Sequence, residues 1–249
     1  MTALNAIQNT FIAPHGQLVA GNVAMPITLS MLLNPPSLVA FWKACLDDRT
    51  EFKADALINL PVNTYILGIP AFGSQIYVRR CYPALWDVCL NKIHDKKTNT
   101  PHLVVLGNPG IGKTYFGFMI LLLLARAGES VVYESGVLGR RFLLTTNMVA
   151  EGSQNDFNRI LSQTTTYYIV DGVKPLYCPA KTILVTSPRR SIWFEFNKTN
   201  SQTCYMPVWT MQEVLKCREL MYTNVSEVIV QDCFHRWGGI ARYVLHYAN

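Results

Sequence analysis

Residues 107–114 spell Gly-Asn-Pro-Gly-Ile-Gly-Lys-Thr, which satisfies every fixed position of the phosphate-binding pattern GxxxxGK(S/T). Glycines let successive backbone N–H groups turn inward and form a nest for an anion. Lys113 would then reach the β- and γ-phosphates of a nucleotide, and the Thr114 hydroxyl would bind Mg²⁺. We predict nucleotide contacts at Gly107, Asn108, Pro109, Gly110, Ile111, Gly112, Lys113 and Thr114.

The segments on either side of this loop suit a phosphate site. The run HLVVL before it is typical of a strand buried on both faces, and the chain from Lys113 to about Ala127 predicts a helix that Gly128 can end. The apolar part of that helix, residues 115–127, is shorter than the roughly 20 residues of a membrane span. We therefore predict a buried helix and no membrane partner.

Strand-like and helix-like segments alternate through the second half of the chain. Apolar strands are predicted at 130–134, 166–171 and 182–187, and two helices follow Pro207. This alternation predicts an α/β fold with a parallel sheet flanked by helices, which is the P-loop NTPase architecture.

Three segments are predicted along the chain. Residues 96–249 form the P-loop core with its C-terminal helices, and residues 1–58 are poorly defined apart from a short helix at 37–46. Between them, residues 59–95 predict a small attachment made of a β-hairpin and a helix. Its predicted strands are 64–68 and 75–79, its helix is 83–93, and a polar linker follows at 94–101.

Hydrolysis of a bound nucleotide needs acidic residues near the loop. Asp171 ends an apolar strand and is predicted to hold Mg²⁺ with Thr114. Many ATPases place a glutamate directly after such an aspartate, but this chain has Gly172 there. Glu134, at the end of the strand after the loop helix, is either the base that orients the attacking water or a plain strand-end carboxylate. The predicted catalytic residues are thus Lys113, Glu134 and Asp171.

Polar residues at the end of the next strand are candidates for sensing the γ-phosphate. Thr186 and Ser187 stand at that place, and we predict a nucleotide contact at Ser187. Arg189 and Arg190 follow, either as phosphate contacts or as solvated side chains. Residues 197–200 read NKTN and lack the aspartate of the guanine signature NKxD, which favours ATP over GTP.

Composition limits the classes of function. Half of the residues are apolar and 15% are charged, which excludes general disorder. The seven cysteines are scattered and form no CxxC pair, so we predict neither a zinc site nor a disulfide framework, and an intracellular location. The net charge of +6 and five basic residues within 79–97 leave nucleic-acid binding open.

Several stretches together resemble the NTPase module of Crinkler-type effectors and of the related retrotransposon hot spot proteins. They occur in the family's order over about residues 60–249: IYVRRCY (76–82), LGNPGIGKTYFGF (106–118), VVYE (131–134), YYIVDG (167–172), TSP (186–188), YMPVWTMQEV (205–214) and FHRWGGIARYVL (234–245). The resemblance implies an ASCE-type P-loop ATPase with a helical extension. It also implies that Arg242 is a sensor arginine, although Ala241 stands where many relatives have proline.

Two features of the wider family are not recognisable in the sequence. Residues 1–58 show neither the ubiquitin-like header nor its LFLAK-type translocation motif, and no nuclease-like cluster follows the NTPase segment. Secretion into a host, which the resemblance implies, has no signal peptide or header motif in its support. We expect a module that serves a partner, or a nuclease domain that this sequence does not contain.

The leading hypothesis is a Mg²⁺-dependent ATPase that acts as a switch or motor for a protein partner, with self-association through the C-terminal helices as an alternative to such a partner. The second is a nucleotide-binding interaction module that hydrolyses slowly or not at all, because Gly172 replaces the expected glutamate. A small-molecule kinase is a third hypothesis, and DNA binding is a fourth.

Overall fold

A computed structural model describes residues 16–95 and 101–248. Its strands are β1 (Gln17–Ala20), β2 (Val23–Pro26), β3 (Leu32–Leu33), β4 (Leu57–Asn59), β5 (Gln75–Tyr77), β6 (His102–Leu106), β7 (Val131–Ser135), β8 (Arg140–Leu144), β9 (Val149–Ser153), β10 (Tyr167–Asp171), β11 (Lys181–Thr186) and β12 (Ser201–Tyr205). Its α-helices are α1 (Pro36–Asp47), α2 (Cys81–Ile93), α3 (Lys113–Arg126), α4 (Asn158–Leu161), α5 (Arg190–Asn197), α6 (Met211–Met221) and α7 (Glu227–Trp237). A short π-helical segment, Arg242–His246, follows α7.

The central sheet has eight strands in the order β12-β6-β11-β10-β7-β8-β9-β3. The strands from β12 to β7 are parallel, and β8, β9 and β3 extend the sheet in antiparallel fashion. Strand β11 therefore lies between β6, which enters the phosphate loop, and β10, which ends in Asp171. An additional strand at this place defines the ASCE class. The predicted α/β fold with a mostly parallel sheet flanked by helices is confirmed.

Each face of the sheet carries its own hydrophobic cluster, because successive side chains of a strand point to opposite faces. Ile169 and Val185 belong to the cluster that includes α1, α2, α3 and the C-terminal helices. Val170 and Leu184, one residue along on the same strands, belong to the cluster that includes α4, α5 and the β1–β2 hairpin. The phosphate loop leads into α3, on the first of these faces.

Helix α3 is the central helix of that face. It begins at Lys113, is buried nearly all round, and is followed by Gly128, whose φ of +70° suits glycine. The prediction of a buried helix from Lys113 to about residue 127 is confirmed. None of the helices in the described residues is long and apolar enough to cross a bilayer.

Some predicted elements differ from the structure. The predicted strand at 64–68 is a 3₁₀ turn at Ile66–Gly68, in which Leu67 has a φ of +54°. A strand cannot accommodate that dihedral angle. The sequence analysis missed β8, β9 and β12, and residues 96–100 of the predicted linker lie outside the described residues.

The amino-terminal part packs on the same core as the phosphate-loop segment. The Trp42 indole N–H of α1 donates to the Thr145 carbonyl at 2.8 Å, and Leu38, Ile76 and Leu121, one from each predicted segment, belong to one cluster. Strand β3 pairs with β9 and joins the main sheet. The predicted division at residues 58 and 95 stays a prediction.

Candidate functional site

The phosphate loop joins β6 to α3 and adopts a conformation that needs glycine at two places. Gly110 has a φ of +80° and Gly112 a φ of +100°. A Cβ on Gly112 would lie 2.6 Å from the Tyr82 hydroxyl, and one on Gly110 would lie 2.9 Å from the Arg242 Cβ. The glycines of the motif therefore permit the turn and also let other elements approach the loop backbone.

Three consecutive carbonyl groups of the loop accept hydrogen bonds from outside it. The Arg242 N–H donates to Gly110 O at 3.1 Å, and the Tyr82 hydroxyl donates to Gly112 O at 2.6 Å. Between them, Ile111 O accepts from the Trp209 indole N–H at 2.8 Å and from the Arg79 guanidinium at 3.1 Å. We call these four residues, Arg79, Tyr82, Trp209 and Arg242, the loop clamp.

The clamp determines which way the loop amides point. In a trans peptide the C=O and the following N–H point in opposite directions. Because the carbonyls of residues 110–112 are bound on the clamp side, the N–H groups of Ile111, Gly112 and Lys113 point to the other side. The geometry therefore forms an anion nest before any ligand arrives.

Arg79 ties the clamp to the C-terminal part of the chain. It is fully buried, and its guanidinium donates to Pro207 O at 3.0 Å and to the Glu213 carboxylate at 3.2 Å. It also lies 4.5 Å from the Trp209 ring centroid, within the range of a cation–π interaction. Glu213 in turn completes the capping box of α6.

The clamp explains why the more specific motifs of the resemblance matter. Arg79 and Tyr82 come from the stretch IYVRRCY, Trp209 from YMPVWTMQEV, and Arg242 from GGIARYVL. Gly239 of the last stretch lies against Trp209, since a Cβ there would fall 2.0 Å from the Trp209 carbonyl oxygen. Segments distant in sequence therefore meet at one loop. Sequence reasoning left the role of Arg79 open and missed Tyr82 and Trp209.

Lys113 lies at the start of α3 and is largely buried. Its ammonium group donates to the carbonyls of Gly107 at 2.8 Å and of Asn108 at 2.7 Å. Burial lowers the pKa of Lys113 to about 8, Asp171 opposes that shift, and Arg242 adds to it. A buried ammonium at the mouth of an anion nest is placed to bind a phosphate group.

Thr114 and Asp171 meet at the carboxyl end of the sheet. The Thr114 hydroxyl is hydrogen-bonded to the Asp171 carboxylate, and the Tyr133 hydroxyl donates to Asp171 Oδ2 at 3.3 Å. Burial raises the pKa of Asp171, while the two hydroxyl groups and Lys113 lower it. Hydroxyl and carboxylate oxygens are ligands that Mg²⁺ prefers, so this pair fits the predicted metal.

The end of β11 carries a second polar feature of the site. The Thr186 hydroxyl is buried, and among the described residues it has no hydrogen-bond partner. A buried polar atom normally has a partner, so this one indicates a water or ligand oxygen beside it. Ser187, the predicted contact, is half-buried beside it and lines the same cavity.

Glu134 does not lie at this site, which corrects the expectation that it is placed to orient the attacking water. It pairs in register with Val170 of β10, whereas its neighbour Ser135 pairs with Asp171. Alternation along the strand therefore places Glu134 and Asp171 on opposite faces of the sheet. Its carboxylate accepts from Arg141 at 2.8 Å and from the Tyr168 hydroxyl.

A cavity of about 510 Å³ joins the parts of the site. The predicted residues that line it are Pro109, Gly110, Gly112, Lys113, Thr114, Asp171, Ser187 and Arg242. Of the other predicted residues, Gly107 and Asn108 bind the Lys113 ammonium, Ile111 binds the clamp, and Glu134 lies elsewhere. Gly172 lines the cavity next to Asp171.

The candidate residues for other functions lie differently. Arg79 is buried, and Arg80 donates to Asp55 at 2.8 Å, so neither offers a free cation to nucleic acid. Lys96 and Lys97 lie outside the described residues. Arg189 and Arg190 are exposed, and Arg190 lies 4.0 Å from the Phe194 ring centroid. The NKTN stretch ends α5, away from the cavity.

Known proteins similar to this chain were found by sequence and by structure. No family model matches the chain. Crinkler effector proteins 15 and 16 of Phytophthora infestans are each 25% identical to it over 179 residues, which is 69% of this chain. The match spans 28% of each relative's length. It supports the Crinkler part of the resemblance but not the retrotransposon hot spot part.

Solved structures give a more distant likeness. The Thermotoga maritima RuvB Holliday junction branch migration motor aligns with a TM-score of 0.41 and 14% identity, over 67% of this chain and 59% of that one. A variant of the same motor aligns with a TM-score of 0.40. The fold assignment rests on the sheet order and the loop described above.

Proposed function

We propose that this chain is a nucleotide-binding module that takes up a Mg²⁺-bound nucleoside triphosphate, ATP in preference to GTP, at the phosphate loop. The observation that carries the proposal is the clamped loop. Its three tied carbonyls point the N–H groups of residues 111–113 to the opposite side, next to the buried ammonium of Lys113. Such an arrangement suits a chain of phosphates and no neutral ligand of similar size.

Magnesium fits the oxygen atoms that Thr114 and Asp171 bring together. Among the described residues, no group of three or more histidine, cysteine, aspartate or glutamate side chains could hold a metal ion. Mg²⁺ commonly takes its remaining ligands from water and from substrate phosphates, so two protein oxygens are sufficient. When bound, the ion would neutralise phosphate charge.

Binding, rather than rapid hydrolysis, is the function that the site supports best. Glu134 is committed to Arg141 on the other face of the sheet, and Gly172 occupies the position after Asp171. The carboxylate that lines the cavity is Asp171, which is already assigned to the metal. We therefore favour a nucleotide-gated interaction module over a fast ATPase.

The gate would act through the clamp. Arg79 and Trp209 join the loop to α6, and Arg242 joins it to the segment after α7. A ligand that rearranges the loop would therefore bias the position of these helices. Helix α7 exposes Val228, Ile229 and Trp237, which makes it the surface where a protein partner or a second copy would bind.

The biological setting is proposed by analogy alone. The relatives are named effector proteins, and the matched segment is about a quarter of their length. We propose that this chain serves a longer effector or its partner as the nucleotide-binding part, at an intracellular site.

Isothermal titration calorimetry with Mg·ATP, together with a phosphate-release assay, tests the proposal. Wild type should bind ATP, and Lys113→Ala should abolish binding, because it removes the cation that faces the phosphates. A matched control is Lys198→Ala, whose ammonium pairs with Glu195 on the exposed surface of α5. Absence of binding by wild type, or equal binding by Lys113→Ala, would contradict the proposal.

A slow ATPase is the second candidate, and the unpartnered Thr186 hydroxyl favours it. A hydroxyl at the end of β11 could bind the γ-phosphate or the water beside it. In that case Thr186→Val would lower phosphate release without weakening ATP binding. Release at background rates for wild type would leave only the binding module.

A further inference from the structure

The cavity is larger than the phosphate site and continues past Thr114 among uncharged side chains. We call this part the aromatic chamber. It is formed by Tyr82, Tyr115, Cys217, Met221, Tyr222 and Leu245. Helix α3 contributes Tyr115, α6 and the residue after it contribute the next three, and the segment after α7 contributes Leu245.

The direction of a bound triphosphate follows from the groups at the other end of the cavity. Lys113 and the Thr114–Asp171 pair mark where the β- and γ-phosphates would lie. Tyr82 contacts Gly112, and Tyr115 follows Thr114 directly. The nucleoside would therefore leave the phosphate site on the chamber side, away from Asp171.

The chamber is neutral at physiological pH. Burial raises the pKa of Cys217 to about 12 and that of Tyr222 to about 12, and it raises the pKa of Tyr82 and Tyr115 as well. Cys217 is close enough to Tyr115 to raise its pKa further. Aromatic rings and sulfur atoms in one uncharged space suit a flat, neutral ring system better than a charged group.

Tyr115 is the side chain in this chamber best placed to stack on such a ring. Its ring packs edge-on against Phe118 at 5.7 Å, and its hydroxyl lies 3.5 Å from the Phe72 carbonyl oxygen. Even so, 37% of the residue remains exposed. The ring is thus held in place and still has surface available for a ligand.

We propose that the aromatic chamber holds the purine base of the nucleotide, with Tyr115 as its stacking surface. The inference rests on the proposed function, since it uses the same phosphate site. The chamber offers stacking and neutral hydroxyl and thiol groups, and strong discrimination needs a site built to hydrogen-bond one substrate's polar edge. ATP and GTP should therefore differ in affinity by less than about tenfold.

Calorimetric titrations with Mg·ATP, Mg·GTP and inorganic tripolyphosphate test the chamber separately from the phosphate loop. Wild type should bind both nucleotides more tightly than tripolyphosphate. Tyr115→Ala should weaken both nucleotides by about tenfold, the usual effect of losing one base–aromatic stack, and leave tripolyphosphate unchanged. Tyr115→Phe should retain nucleotide affinity. The control is Tyr205→Ala, whose residue is 74% exposed on β12 and does not line the cavity.

Each other outcome overturns a defined part of the account. Tripolyphosphate affinity equal to that of ATP, or unchanged ATP affinity in Tyr115→Ala, would show that the base does not use the chamber although the phosphate site stands. Equal weakening of ATP and tripolyphosphate would make Tyr115 structural. A preference of more than about a hundredfold for one purine would refute the stacking model. Wild type that binds none of the three ligands would overturn the phosphate site and the chamber together.

Discussion

Two buried arginine–glutamate pairs lie on opposite faces of the same sheet. Arg79 pairs with Glu213 at 3.2 Å on the side of the phosphate loop, and Arg141 pairs with Glu134 at 2.8 Å on the other side. Side-chain exposure is 5% or less in all four residues. Their chemistry is nearly the same, and their surroundings are not.

The difference lies in what each arginine binds with its remaining N–H groups. Arg79 donates to Ile111 O of the phosphate loop and to carbonyls before α6. Arg141 donates to Asp156 O, to the Asn158 side chain and to the Tyr168 hydroxyl, all of them outside the cavity. A buried ion pair is thus a functional device only where it holds a functional loop. The Arg141 pair is scaffold.

Arg79→Met should have the largest effect, because it leaves Glu213 buried and unpaired and releases Ile111 O. We expect a loss of about 3–5 kcal/mol in the free energy of unfolding, measured by urea denaturation. ATP affinity per folded molecule should also fall at least about tenfold, which is 1.4 kcal/mol or more. Affinity that survives intact in the folded fraction would show that the clamp does not organise the loop.

Arg141→Met is the matched variant on the other face. It leaves Glu134 unpaired, so urea denaturation should again show a loss of about 3–5 kcal/mol. ATP affinity of the folded fraction should remain within about twofold of wild type, because contacts with the loop are unchanged. A loss of affinity similar to that of Arg79→Met would remove the distinction between the two pairs.

Glu134→Gln tests the catalytic prediction directly. The neutral amide leaves Arg141 with a weaker partner, and we expect a cost of about 1–3 kcal/mol in unfolding free energy. Phosphate release at saturating ATP should not change, since Glu134 lies on the far face of the sheet. A large fall in release with unchanged ATP affinity would restore Glu134 as a catalytic residue.

The lowered pKa of Lys113 predicts how ATP binding depends on pH. The free protein loses the Lys113 proton as pH rises through about 8, whereas bound phosphates require the charged form. Affinity should therefore be highest below pH 8 and fall above it, by at most about tenfold per pH unit. Calorimetry from pH 7 to 9.5 measures this, with Lys113→Met as the control that should lack the dependence. A flat profile for wild type would exclude Lys113 as the cation.

Tyr82→Phe should have the smallest effect among these variants. It removes one hydroxyl that donates to Gly112 O, and Gly112 O still accepts from the Phe116 N–H of α3. ATP affinity should fall by about 1 kcal/mol or less. Tyr177→Phe, at a residue that is 67% exposed, serves as the control. A loss as large as that of Arg79→Met would mean that Tyr82, not Arg79, dominates the clamp.

Sequence reasoning was strongest where the signal is local. The apolar strands β6, β7, β10 and β11 and helix α3 are continuous runs, so their existence and order could be predicted. Strand β12 could not, because its residues, SQTCY, are mostly polar and half-buried at the sheet edge. The antiparallel strands β8 and β9 were hidden by charged and small residues.

The site was predictable only in part for a similar reason. The motif itself identifies Lys113 and Thr114, whereas the contact between Arg79 and Ile111 joins residues 32 positions apart, and that between Arg79 and Glu213 joins residues 134 apart. The error at Glu134 depended on register. The strand alone does not tell which face it presents, and only the pairing of Glu134 with Val170 does.

The central claim is that the clamp presents the N–H groups of Ile111, Gly112 and Lys113 to phosphate. Backbone amide ¹H–¹⁵N chemical shifts, followed during titration with Mg·ATP, test it most directly. The account predicts that these three amides shift together, with a common affinity, more than those of β8 and β9, and that Arg79→Met weakens the response. Shifts confined to residues outside the loop, or none in these three amides at saturating ATP, would contradict it.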